Sequence, residues 1–103
     1  MHNIWIADDD EAIRMVLEEG LKSSELAITT FANGESLIEA LNEDQPDLII
    51  SDIKMPGIHG YDLLKHIKNN YEKIPVIIMT AFTDMQAAID AYGGGAFEYI
   101  PKP

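Results

Sequence analysis

The feature that most constrains this chain is a regular alternation between short apolar runs and segments whose apolar residues recur at helical spacing. The runs are Ile4-Trp5-Ile6-Ala7, a second near Ala27 to Phe31, Leu48-Ile49-Ile50-Ser51, Val76-Ile77-Ile78-Met79 and Phe97-Glu98-Tyr99-Ile100. Between them, Glu11 to Lys22 places Ile13, Val16, Leu17 and Leu21 on one face, a second helix carries Leu37, Ile38 and Leu41, and a third carries Leu63, Leu64, Ile67 and Tyr71. Asp84 to about Tyr92 predicts a fourth helix with Met85, Ala88, Ile89 and Tyr92 as its stripe. A strand that is apolar throughout is buried on both faces, and a helix between successive strands returns the chain to the same edge of the sheet. The pattern therefore predicts an α/β domain: a parallel sheet, helices on both faces, right-handed crossovers.

Local signals punctuate the alternation. Asp10 is placed to cap the first helix, Asn33-Gly34 opens the second, and Pro46 ends it. Pro56, Gly57 and Gly60 form a turn before the third helix, and Pro75 introduces the fourth strand. The alanine-rich fourth helix runs into Gly93-Gly94-Gly95, which gives it little rigidity and predicts a mobile element.

With 103 residues and 47% hydrophobic content, one compact core is expected and a second is not. Cysteine is absent, which excludes disulfides and thiolate metal sites and suits a reducing compartment. The N-terminus has no basic leader, and no segment approaches the roughly 20 apolar residues of a membrane span, so a soluble, cytoplasmic chain without membrane contact is expected. Eighteen acidic against seven basic residues give a formal charge of −11, which repels nucleic-acid phosphates and argues against direct nucleic-acid binding.

In parallel sheets, ligands bind beyond the carboxyl ends of the strands, so the residues there carry the functional reading. They are Asp8-Asp9-Asp10 after the first strand, Asp52 after the third, Thr80-Ala81 after the fourth and Lys102 after the fifth. Carboxylates converging from two strand ends repel unless a cation relieves them, and hard oxygen ligands that leave room for water and phosphate suit Mg2+. Asp10 reads better as a helix cap, while Asp8 and Asp9 read as metal ligands. Asp52 ends the most apolar strand and is the candidate for direct phosphorylation to an acyl phosphate. Thr80 offers a hydroxyl to a phosphate oxygen, Ala81 leaves room for the phosphoryl group, and Lys102 adds a positive charge. Taken singly, each is an ordinary strand-end or tail residue; their convergence is what argues for a site. Tyr99 reads as a half-buried strand residue with its hydroxyl in water. His2, His59 and His66 lack metal-ligand partners and are assigned no chemistry.

Four segments, Ala7-Asp8-Asp9-Asp10, Ser51-Asp52-Ile53-Lys54-Met55-Pro56-Gly57, Met79-Thr80-Ala81 and Ala96-Phe97-Glu98-Tyr99-Ile100-Pro101-Lys102-Pro103, occur in the order and at the separations of bacterial response regulators. From Ile4 through Pro103 the chain resembles their receiver domain, and within that family the nitrogen-regulation type, which controls transcription activators. The resemblance implies a flavodoxin-like doubly wound sheet of five parallel strands in the order 2-1-3-4-5. It implies that a sensor histidine kinase or a small acyl phosphate phosphorylates Asp52, with Mg2+ held by Asp9, Asp52 and the Lys54 carbonyl and assisted by Asp8. It implies that Thr80 and Lys102 grip the phosphate, that Tyr99 changes rotamer, and that the face of the fourth helix and fifth strand is altered. It also implies a cis Lys102–Pro103 peptide. Such a domain assists its own phosphorylation and dephosphorylation but is not otherwise an enzyme. A receiver normally continues into a fifth helix, and this sequence stops at Pro103. The expectation is a receiver spanning 1–103, cut before that helix from a longer regulator that carries the output domain. One sheet face should be half covered and should favour a homodimer.

Two other classes use comparable parts. A phosphatase with an aspartyl nucleophile would need Asp8 as nucleophile and Asp10 as general acid, but Asp10 is followed by Glu11-Ala12 where that class carries Thr or Val, and no substrate cap is present. A flavodoxin-like ligand-binding module would need a glycine-rich phosphate loop after the first strand, where this chain has three acids. Ester turnover and flavin or nucleotide titration separate these readings from a receiver.

Overall fold

In the computed structural model of the chain, residues 2–81, 86, 89, 93 and 95–102 are described. The strands are β1 (His2–Ala7), β2 (Leu26–Phe31), β3 (Leu48–Asp52), β4 (Val76–Thr80) and β5 (Glu98–Pro101), and the helices are α1 (Glu11–Leu21), α2 (Gly34–Leu41) and α3 (Gly60–Asn70). All four pairings are parallel and the order is β2-β1-β3-β4-β5. The expected architecture and strand order are therefore present. The order reverses between β1 and β3, whose carboxyl ends carry Asp8 and Asp52.

The caps lie where the sequence places them. Asp10 accepts a hydrogen bond from the Ala12 amide at 2.9 Å, and Asn33 accepts one from Ser36 at 2.8 Å. Each satisfies an amide that the helix itself leaves without a partner.

Side chains alternate across the strands and build two cores. Trp5, Leu37, Leu41, Ile49, Leu63, Leu64, Ile67 and Ile78 form the larger, beneath α2 and α3. Ile4, Ile6, Ile50 and Met79 form the smaller, where among the described elements α1 supplies the helical cover through Ile13, Leu17 and Leu21. Leu48, Ile77 and Ile100 on this face are only partly buried.

Two apolar residues depart from the expected pattern. Val16, read as part of the buried stripe of the first helix, is 53% exposed, because α1 packs mainly over β2 and turns the flank bearing Met15 and Val16 outward. Phe97, read as the start of the last strand, precedes β5 and is 69% exposed; its amide donates to the Val76 carbonyl at 2.8 Å while its ring projects away from the core. Of the expected fourth helix, Gln86, Ile89 and Gly93 are described and helical; the rest of it, and with it the expected mobility, lies outside the described residues. So does Pro103, and with it the expected cis peptide.

The β3–α3 connection is built tightly around Asp52. Gly57 takes φ of 77°, a left-handed turn that favours glycine, and the Gly60 amide donates to the Ile53 carbonyl at 3.0 Å. A Cβ on Gly60 would run into the Asp52 carbonyl oxygen and lie 2.8 Å from the Ile53 Cα, both rigid backbone. Gly60→Ala is therefore expected to destabilise the domain by about 2 kcal/mol or more, in the range of overpacked cores, and to displace Asp52. Urea denaturation checks the first effect, and an unchanged midpoint would show that the turn relaxes without cost.

Candidate functional site

The site lies where β1, β3, β4 and β5 end together. Asp8 is fully buried and Asp52 is 3% exposed, whereas Asp9 faces solvent. One carboxylate oxygen from each of the three lies within 4.8 Å of the others, so acids more than forty positions apart in the chain form one cluster.

Asp8 is held with unusual completeness. Its amide donates to the Phe31 carbonyl at 3.1 Å, its Oδ1 accepts from the Asp10 amide at 2.9 Å, and its carbonyl accepts from Arg14 Nη1 at 2.7 Å. Oδ2 remains, buried and accepting no main-chain or neutral side-chain hydrogen bond among the described residues. A buried carboxylate oxygen in that condition is costly unless a cation meets it. Burial is the main influence raising the Asp8 carboxyl above the usual carboxylate range; the Asp52 charge adds to it, and the Asp10 amide and Lys102 work against it.

Lys102 is the cation that meets these carboxylates. Its Nζ lies 2.9 Å from Asp52 Oδ2 and 3.4 Å from Asp8 Oδ2, and its amide donates to the Thr80 carbonyl at 3.0 Å. Burial works against its charge, but the hydrogen bonds and charges of Asp52 and Asp8 outweigh that and hold the ammonium above the usual lysine range. The Lys54 amide points at Asp52 Oδ1 across 3.4 Å, the limit of a hydrogen bond. Thr80 is buried at the end of β4, its hydroxyl donating to the Ala81 carbonyl at 2.9 Å. Tyr99 is half buried and packs against the larger core. Asp10 caps α1, as its position suggested.

These groups fit a hard divalent cation: oxygen ligands only, one of them buried and met by the Lys102 charge, with the solvent-facing Asp9 leaving a side open to water. Asp8, Asp9 and Asp52 would hold it. Three features of the surroundings escaped the sequence reading. Arg14 reaches a main-chain carbonyl, Gly60 lies so close to the Asp52 backbone that a Cβ has no room, and the Ser51 hydroxyl donates to the Asp52 carbonyl at 2.9 Å. Only Gly60 had a sequence signal, as part of a turn; the other two contacts depend on loop geometry that has no periodicity.

Comparison with known proteins agrees with this geometry. The response regulator receiver domain family matches residues 4–103. NtrC, a DNA-binding transcriptional regulator of Escherichia coli (strain K12), is 52% identical over 100 residues, which cover 97% of this chain and 21% of that protein. The chain thus spans about a fifth of the length of the curated relatives it matches. The solution structure of the apo NtrC receiver domain superposes with a TM-score of 0.87 at 50% identity, over 99% of this chain and 82% of that one. TrrA of Thermotoga maritima, solved in complex with Mg(2+)-BeF, gives a TM-score of 0.88 at 31% identity, over 100% of this chain and 88% of that one. This chain belongs to the response regulator receiver domain family and is similar there to receivers of the NtrC type.

Proposed function

We propose that this domain is the phosphoacceptor of a two-component response regulator, phosphorylated on Asp52 in a reaction that requires Mg2+. The observation that carries the reading is the buried Asp8 Oδ2, whose partner among the described residues is the Lys102 ammonium at 3.4 Å, beside Asp52. In this reading Asp8, Asp9, Asp52 and the Lys54 carbonyl hold the ion, which when bound neutralises the oxygens of the incoming phosphoryl group. An Asp52 carboxylate oxygen attacks phosphorus, and the bond to the donor's imidazole nitrogen or acetate oxygen breaks, leaving an acyl phosphate and the free donor. Lys102, already at 2.9 Å, follows the charge onto the phosphate. Thr80 must turn its hydroxyl from the Ala81 carbonyl to reach a phosphate oxygen, beside the space that Ala81 leaves. Tyr99, on the strand paired with β4, transmits that movement to the face of the fourth helix and β5.

The donor is a sensor histidine kinase, the domain acts in the cytoplasm, and the consequence is control of a transcription-activating output domain in the same regulator. No helix among the described residues is long and apolar enough to cross a membrane. Beyond its own phosphorylation and dephosphorylation the domain catalyses no reaction.

Incubation with acetyl phosphate followed by intact mass tests the reading. One phosphoryl group should be gained with Mg2+ and none with EDTA; equal labelling in both would remove the metal from the reaction. Asp9→Ala, a change at a solvent-facing position, should weaken Mg2+ binding by roughly tenfold or more, the equivalent of at least one charge-assisted contact. An NMR shift titration with MgCl2 measures this, and an unaltered affinity would exclude Asp9 as a ligand.

A further inference from the structure

Arg14 is the chain's single arginine. Placed on a helix with Glu11 and Glu18 nearby, it has carboxylates three and four positions away, the spacing at which helical ion pairs form. It forms no ion pair with them or with any other described carboxylate. Instead Nη1 reaches back over the first turn of α1 and donates to the carbonyl of Asp8 at 2.7 Å, in a partly buried position.

That carbonyl belongs to the residue whose fixation leaves one oxygen for a cation. The Asp8 amide is held by β2 and Oδ1 by the Asp10 amide, while Oδ2 faces Lys102, so among the described residues the Arg14 bond is the side-chain restraint on the main chain of Asp8. Removing it would leave the carbonyl without that donor and let the peptide following Asp8 rotate. That peptide carries Asp9, the solvent-facing member of the cluster.

We infer that Arg14 is a positioning residue for the divalent-cation site, orienting the Asp8–Asp9 peptide through the Asp8 carbonyl so that both carboxylates face Asp52. The inference rests on the proposed Mg2+ role of this cluster.

The two roles predict opposite signs. If Arg14 acted only as a nearby positive charge, its removal would tighten Mg2+ binding, since it would repel the ion. If it positions the ligands, its removal loosens binding, by roughly tenfold on the scale of lost partners that orient metal ligands. The experiment is an NMR titration of the chain with MgCl2, following the amides of residues 9, 10 and 54, for wild type, Arg14→Met and Arg14→Lys. Arg14→Met keeps the apolar stem and should raise the Kd roughly tenfold, while Arg14→Lys, which retains a donor of similar reach, should stay within about threefold of wild type. If Arg14→Met does not fold, Arg14→Gln gives the same sign test, its shorter amide losing both the charge and the reach. Equal or tighter binding by the uncharged variants, with wild type binding normally, overturns this inference alone. Failure of the wild type to bind Mg2+ overturns the metal reading and this inference with it.

Discussion

Asp52→Asn is expected to take up no phosphoryl group from acetyl phosphate and Mg2+ under conditions in which the wild type gains one. The substitution is nearly isosteric, so the packing of β3 against Ile53, Met55 and Gly60 is retained, but the amide has neither the charge nor the nucleophilicity of a carboxylate. Asp52 is the acid best placed to react. Its backbone is fixed from several sides, by the pairing of β3 with β1 and β4, by the bond from the Ile53 amide to the Met79 carbonyl at 3.0 Å, and by the turn through Gly60. Rigid placement of a nucleophile is a large part of catalysis by proximity. Asp8 is more deeply enclosed and bound through Oδ1, and Asp9 lies in solvent on the loop. Intact mass after labelling reads the result directly. Full labelling of Asp52→Asn would move the acceptor to another residue, and peptide mapping would then identify it.

Lys102→Met should destabilise the metal-free domain, and Mg2+ should restore much of the loss. Lys102 is the described cation that touches both Asp8 and Asp52, whose side chains are almost wholly enclosed. Without it, two buried carboxylates face each other uncompensated. Removing one partner of a buried ion pair costs several kcal/mol, and because the lysine is partly exposed a loss of about 2–3 kcal/mol is expected. For a domain of this size that lowers the Tm by on the order of 10 °C. A divalent cation bound by the folded cluster stabilises it by mass action, so the variant should gain more from Mg2+ than the wild type, which already has an internal counter-charge. Melts followed by circular dichroism, in EDTA and in Mg2+, give both quantities. Identical melting of variant and wild type in EDTA would mean that the acidic cluster is relieved by some other means than this lysine.

The two expectations use the same electrostatic problem from opposite sides. The cluster is a liability in the folded chain unless a positive charge meets it; Lys102 supplies one, and in the proposed reading a metal ion is the alternative source. A fold that places acids together at the ends of its most buried strands holds them where a cation and a phosphoryl group are attractive ligands.

Much of this was legible in the sequence because the relevant forces are local or periodic. Unbroken apolar runs require burial on both faces, so β1, β3 and β4 and their parallel arrangement follow from side-chain chemistry alone, as do the caps at Asp10 and Asn33. The positions of Asp8, Asp9, Asp52, Thr80 and Lys102 at strand ends follow from the same reading, since the strand boundaries locate them. What the sequence could not determine depends on how the elements sit against one another. The exposure of Val16 depends on which part of the sheet α1 covers, and helical spacing alone would have buried it with Ile13 and Leu17. The outward ring of Phe97 depends on where β5 begins its pairing with β4. The bond from Arg14 to the Asp8 carbonyl, the buried Asp8 Oδ2 facing Lys102 and the close approach of Gly60 to Asp52 exist only once the loops are closed, because each is a contact of a few ångströms between groups whose separation in sequence carries no signal.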